Sequence, residues 1–373
     1  MSSHPGPLGP EKKKLKRKCE QPMSDRFKTT RRTFLSVSAA TALIALTAAG
    51  AAFAEEKGTV ITSVFGGDYG DILRTTVDEA IMAPEGYEVI QDISSTEARQ
   101  TKLRTEKMRA KSSFDVAVLA DLDMYPMAKI GVLAEVTEQN VPRLSAVIPA
   151  LLKTHSVPQI YSYIAILYNP EKITAPPTSY ADLWKPEYKG KVGVSDKLHV
   201  ATSAVAALVG GGSMSDFTPG QTKLLELRDK QDVQILPSNE AIAAAFDSGD
   251  IWITINYVSR AYSWRESGLN IERAVASEGA IPIAFEMAVP KNAPNKDGGF
   301  AYLDAALDPE AQIGFAAKMG YLPTVTDAKL PAELEAAIGL PAADQDRLIR
   351  LDDDYLMQHQ TEILDFWNRE FKG

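Results

Sequence analysis

A chain of 373 residues, 45% apolar and 24% charged, is long enough to bury two cores and has the bulk composition of neither a disordered polymer nor an integral membrane protein. Its formal charge of −9 deepens to −16 when residues 1 to 54 are set aside, leaving 30 Lys/Arg against 46 Asp/Glu. Such a balance repels phosphate backbones and argues against nucleic-acid binding. Cys19, the single cysteine, lies in that first segment, so the remainder has no disulfide, thiolate nucleophile or cysteine-ligated metal.

Residues 1 to 22, with Lys12-Lys-Lys-Leu-Lys-Arg-Lys18, precede a second methionine at Met23 and read as an upstream extension. Thr30-Arg-Arg-Thr-Phe-Leu-Ser36, the apolar run Val37 to Phe53 and the small-residue pattern Ala52-Phe-Ala54 read as a signal peptide. Its paired arginines point to the twin-arginine export machinery, with cleavage near Ala54 and delivery to the periplasm. A membrane anchor needs about 20 apolar residues. This Ala-rich run is marginal in length and ends in a cleavage pattern, so removal is the expectation.

Beyond it, Gly58 to Phe65 alternates with β-branched residues, breaks at Gly66-Gly67, and gives way to a helix facing inward through Ile72, Leu73, Thr76, Val77, Ala80 and Ile81. Tyr87 to Ile93 reads as a strand, Ser95 to Arg109 as a helix, and Phe114 to Leu119 as a buried parallel strand. Alternating β and α elements predict a doubly wound sheet, with ligands beyond the carboxyl ends of its strands. Tyr161 to Asn169 is a long β-prone run suited to passing from one lobe to another. Then come a helix over 202–209, a break at Gly210-Gly-Gly212, a helix near 221–229 and a strand over 233–236. Ser238 is placed to cap a helix over 240–247. Ile251 to Ile255 reads as a central strand, followed by a loop and helix carrying Asn256, Tyr257, Arg260, Tyr262 and Trp264. Ile281 to Val289 returns to the first lobe, Tyr302 to Met319 is one packed helical segment, and the last crossing falls near Gly320 to Thr324.

Between these lies Thr178-Ser-Tyr-Ala-Asp-Leu-Trp-Lys-Pro-Glu-Tyr-Lys-Gly-Lys-Val192. Ser179 and Asp182 form a capping-box pattern, Pro186 stops the helix, and Gly190 releases the chain into a strand. This stretch resembles the Ser-Trp-Ala-Asp-Leu-Trp-Lys-Pro-Glu-Tyr-Lys-Gly segment of the spermidine/putrescine-type receptors, extracellular solute-binding proteins that feed ABC importers. A second block is similar: Gly268, Ser277-Glu-Gly279, Ala288-Val-Pro-Lys-Asn-Ala-Pro-Asn-Lys296, Tyr302-Leu-Asp304, Asp308-Pro-Glu310 and Gly320-Tyr-Leu-Pro323. The likeness covers most of the chain after about residue 58. It implies an α/β, two-lobed type II periplasmic-binding-protein fold with hinge-linked doubly wound sheets. Residues 55–162 plus 284–322 would form lobe 1, and 163–283 plus 323–373 lobe 2. It also implies a monomer with a small-molecule ligand and an inner-membrane ABC permease as partners, no cofactor and no enzymatic activity.

Candidate ligand-binding residues follow from position and chemistry. Phe65, Asp68 and Tyr69 stand at the first glycine turn, where receptors of this type place an acid and a Tyr; Asp68 could instead cap the next helix. Asp121 and Asp123 follow a strand and could hold an ammonium group or cap a helix. Ser195 and Lys197 end the strand after Gly190, where Lys197 favours an anionic group or is solvated surface. Tyr257 falls where polyamine receptors carry a stacking Trp, and Arg260 offers a fork for a carboxylate or for an ion pair within its lobe. Where those receptors present Trp, Met and Asp, this chain has Ile283-Ala284-Phe285, followed by Glu286 as a substitute amine partner.

Loss of those countercharges predicts a carboxylate-bearing amine of the 4-aminobutyrate kind, with a polyamine as the alternative. An exported enzyme or ferric-iron binder on the same scaffold is a further alternative. His155, His199 and His359 stand alone, and no zinc-protease, nucleophile-elbow or phosphate-loop motif occurs.

Overall fold

The alternating stretch Gly58–Val64 is a strand, β1, in the computed structural model, which describes residues 56 to 373 apart from Asp346. The signal peptide, its twin arginines and Cys19 lie outside the described residues. Gly67, at φ +65°, adopts a conformation only glycine takes freely and turns the chain into α1 (Asp68–Leu73), which widens into a π-helical continuation over Arg74–Met82. Tyr87–Ile93 (β2) pairs parallel with β1 from Gly58↔Tyr87 onward. Ser95 accepts a hydrogen bond from Ala98 N–H and starts α2 (Thr96–Thr105), which leads to β3 (Val116–Ala120) and α3 (Asp121–Lys129).

The long β-prone run is β4, Val157–Tyr168, buried along all 12 residues. The 178–188 stretch departs from the expected helix. It forms two 3-10 turns, Tyr180–Trp184 and Pro186–Tyr188, and Asp182 accepts from Thr178 N–H rather than from Ser179. Pro186 leaves too few residues for an α-helical turn. Gly190 at φ +71° then admits β5 (Val192–Ser195). There follow α4 (His199–Val209), α5 (Thr218–Asp229), β6 (Gln234–Leu236) and α6 (Asn239–Asp247), whose cap is Ser238. The central strand β7 is Ile253–Tyr257, two residues later than expected. Asn256 and Tyr257 therefore end the strand, while Arg260 rides on α7 (Val258–Glu266).

After β8 (Glu272–Ala274) and β9 (Ile281–Ala288), the expected helix over 302–319 is two: α8 (Lys296–Ala306) and α9 (Pro309–Met319). Asp308 caps the second and Pro309 takes its first position, which breaks the run. Then come β10 (Leu322–Pro323), α10 (Ala332–Ile338), α11 (Ala342–Gln345) and α12 (Asp353–Phe366).

The strand order is β2-β1-β3-β9-β4-β7-β5-β6, with β8 and β10 also pairing with β4. Two parallel wings, β2-β1-β3 and β7-β5-β6, are joined by β9 and β4, which run antiparallel to each other and to the strands they meet. One core packs α1, α8 and α9 on β1 and β3 and continues below β4; a second packs α4, α5, Trp367 and Phe371 on β5 and β7.

Register sets the geometry of the site. Ala120 at the end of β3 lies beside Phe285, which lies beside Ile160; Tyr257 at the end of β7 lies beside Ile164. The carboxyl ends of the two wings thus point toward each other, separated along β4 by the span from Ile160 to Ile164, about 13 Å at strand rise. The three runs in which crossings are expected pass side by side through this span. Ser162 faces Ile283, Tyr161 faces Ala284, and Leu322 faces Tyr161.

Candidate functional site

Between the facing strand ends lies a cleft of about 260 Å³. Of the expected residues, Asp121, Asp123, Lys197 and Tyr257 line it, joined by His199 and by Gln360 from α12. Asp121 opens α3 directly after β3. Its carboxylate accepts from its neighbour Leu122 N–H (2.8 Å) and from Ala284 N–H on β9 (3.2 Å), and it forms no salt bridge among the described residues. Burial pushes its pKa up to about 6, against the pull of those two donors. Asp123 is likewise raised by burial and accepts from Gln100 Nε2 at 2.8 Å. Both acids thus sit where helix capping was the alternative, yet the residue at the N-cap is Ala120.

Tyr257 is fixed at the end of β7, where Asn256 Oδ1 accepts from its N–H at 2.8 Å. Burial raises its phenol, with the Asp121 charge adding to the rise and Arg260 opposing it, so it stands between an acid of one wing and a base of the other. Arg260 is half-buried and has no ion pair among the described residues, which leaves the intralobe pairing without a partner there. Lys197 is exposed on the 3-10 turn after β5. Ser195, at the end of β5, is 1% exposed; its Oγ has no partner among the described residues, and it sits behind the wall rather than in it.

The first glycine turn differs from expectation. Tyr69 points into the core, 5% exposed, and donates its hydroxyl to Gln159 Oε1 at 3.0 Å. It meets Phe65 edge-on at 5.4 Å, and Phe65 meets Phe285 at 5.5 Å. Arg99, fully buried on α2, lies 4.0 Å over the face of Phe65. With one face covered by a guanidinium and two edges by aromatic rings, Phe65 belongs to a packed cluster. Asp68 is exposed at the first position of α1, one residue past the N-cap Gly67, and neither caps the helix nor lines the cleft.

Glu286 also departs from its expected place. As the neighbour of Phe285 on an extended strand it must project from the opposite face. It is 2% exposed, accepts from Ser156 Oγ at 2.7 Å, and lines a second chamber with Lys153 and Asp353. Burial pushes its pKa up to about 7. Sequence reasoning missed Arg99, Lys153, Asp353 and Gln360. The last two arrive from α12, whose part in the site has no local signature.

Among the described residues no group of three or more His, Cys, Asp or Glu is arranged to hold a metal ion, and no helix is long and apolar enough to cross a membrane.

A family model for bacterial extracellular solute-binding protein matches residues 77–342. The spermidine/putrescine-binding periplasmic protein of Escherichia coli is 26% identical over 236 residues, covering 61% of this chain and 67% of its own. A crystal structure of an ABC transporter protein from Clostridium perfringens matches with a TM-score of 0.74 at 21% identity, over 83% of this chain and 99% of its own. The Atu4243-GABA receptor matches with a TM-score of 0.70 at 21% identity, over 83% and 96%. The mixed α/β architecture is thus that of the type II periplasmic binding proteins, and the chain belongs to the bacterial extracellular solute-binding proteins, a family of receptors rather than enzymes.

Proposed function

We propose that this protein captures a small organic solute bearing a primary ammonium group in the cleft between two hinged lobes, and delivers it in the periplasm to an ABC permease. The observation that carries the reading is Asp121, a carboxylate sunk in the cleft wall with backbone donors only and no salt bridge among the described residues. An ammonium group supplies the charge-assisted bond that this acid lacks. Tyr257 across the gap offers a ring to an alkyl chain or cation. The polyamine-binding relatives support a diamine or triamine as this solute.

Lobe 1 is assigned to residues 55–162 plus 284–322, and lobe 2 to 163–283 plus 323–373. Contacts made by both lobes exist only when they close, so the solute shifts the population toward the closed form. Export by the twin-arginine route and cleavage near Ala54 complete the proposal. Isothermal titration of the purified protein with putrescine, spermidine, 4-aminobutyrate and butyrate tests it. Ammonium-bearing compounds are expected to bind and butyrate is not. Asp121→Asn is expected to weaken amines at least tenfold, the order of a hydrogen bond to a charged group. Equal amine affinity in that variant, or a preference for butyrate, overturns the reading.

A second reading, a solute with a carboxylate at its other end, is favoured by Lys197 on the cleft wall and by Arg260, which stands one helical turn beyond Tyr257 outside the cleft lining and has no ion pair among the described residues. Arg260→Ala separates the two: it weakens 4-aminobutyrate and spares putrescine only if a carboxylate docks there.

A further inference from the structure

The cleft does not end at Asp121. A smaller chamber of about 40 Å³ adjoins it, sharing Asp121, Leu122, Pro282 and Leu351 as common walls. Its far side is closed by Lys153, Glu286, Arg350 and Asp353. These come from four separate segments: the loop before β4, β9, the approach to α12, and α12 itself.

The charges in this chamber are unequally served. Asp353 is satisfied, since its Oδ2 accepts from Lys153 Nζ at 3.0 Å. Arg350 is exposed and turned to the backbone, donating to Leu152 O at 3.2 Å. Asp121 has only backbone donors. Glu286 has the hydroxyl of Ser156 on Oε2, while its Oε1 is buried without any partner among the described residues. Two acids therefore face a wall space in which Lys153, though close enough for its charge to act on Glu286, gives its hydrogen bond to a third acid, Asp353. A buried carboxylate oxygen without a donor is costly, and a cationic donor satisfies both acids together.

The size and spacing of the chamber narrow the chemistry of that donor. The carboxylates are not grouped closely enough to hold a metal ion. The volume is enough for about three water-sized groups, which suits an ammonium on an unbranched methylene rather than a whole solute.

We propose that this chamber seats the ammonium head of the solute, held between Asp121 and the free oxygen of Glu286, while Lys153 stays on Asp353 and neutralises the third acid. The inference rests on the amine reading above and deepens it: the solute enters head first, its chain runs back past Asp121 into the cleft, and N-methylated heads are excluded by size. A further consequence concerns protons. The charged groups facing Glu286 are Lys153, Asp121 and Asp353, and burial leaves it partly protonated at neutral pH. Seating a cation against it requires the carboxylate form, so binding expels a proton and affinity rises with pH between about 6 and 8.

Titration of the purified protein with putrescine at pH 7, in two buffers of different ionisation enthalpy, reads this directly. The unmodified protein is expected to release about half a proton per solute bound. In Glu286→Gln the release is expected to fall by more than half and affinity at least tenfold, with thermal unfolding confirming that the variant folds. A putrescine analogue trimethylated at both nitrogens is expected to bind at least a hundredfold more weakly than putrescine. Binding enthalpy independent of buffer in the unmodified protein overturns the inference without recourse to a variant, and so does Glu286→Gln with unchanged affinity and release. If no amine binds at all, the amine reading itself fails. If Asp121→Asn weakens putrescine while Glu286→Gln does not, only the chamber assignment fails.

Discussion

Phe285 and Glu286 are adjacent in the chain and belong to different environments, one in an aromatic cluster and the other in an acid-lined chamber. That separation follows from the two-residue period of a strand, and it makes Glu286 a stability determinant as well as a ligand candidate. Its folded pKa is raised, from 4.5 to about 7, so below about pH 4.5 both folded and unfolded states hold the proton. As pH rises from there to about 7, the unfolded chain ionises first and is favoured, so stability falls across this window. The shift corresponds to on the order of 3 kcal/mol at pH 7.5. In the absence of solute, Glu286→Gln is therefore expected to be more stable than the unmodified protein at pH 7.5 and similar at pH 4.5. Urea unfolding at the two pH values checks this, and equal stabilities at pH 7.5 exclude it.

Helices and strands show where local rules suffice and where they do not. Asp308 accepts from Glu310 N–H and Ala311 N–H and also receives Arg143 Nη2 at 2.8 Å, so it caps α9 and ties it to the 142–146 turn. Asp308→Ala is expected to cost about 1 to 2 kcal/mol, read as a lower urea midpoint with an unchanged slope. The same Asp-Pro pair was visible in the sequence, and reading it as a cap divides 302–319 correctly into two helices. β1 was legible because its residues alternate and are β-branched, whereas β7 slid by two positions because a continuously apolar run carries no register. The positions of Asp121, Lys197 and Tyr257 were legible because each lies at or just past the carboxyl end of a strand. Lys153 and Asp353 were not legible, since they lie 200 residues apart and nothing local links them. Arg99 was read only as part of the helix expected over Ser95 to Arg109. Its burial over Phe65 depends on where β1 and α2 meet, which no window of sequence contains.

At the scale of the molecule, β4, β9 and β10 lie side by side where the wings meet, so in the proposed closure bending there would move one wing against the other without parting either parallel half-sheet. Two ion pairs, Lys153 to Asp353 and Lys129 to Asp354, join the first wing to α12 and so bridge the cleft mouth. The exposed Lys129–Asp354 pair adds little to stability, about 0 to 1 kcal/mol, whereas Lys153–Asp353 is partly buried. Solution scattering is expected to show a smaller radius of gyration on saturation with putrescine. An unchanged radius with the solute demonstrably bound removes the hinge from the mechanism.

β4 also governs the order in which the protein can be assembled. Its partners along one edge, β9 and β8, lie more than a hundred residues downstream, so when β4 leaves the ribosome it has no neighbour on that side. The same holds for the free edge of β3. The sheet cannot be completed until more than four fifths of the chain, through Pro323, has been synthesised, and pairing across such separations is slow because loop closure precedes any gain in contacts. Until then two apolar edges stand open, which makes this chain a natural client for chaperones that shield nascent strands.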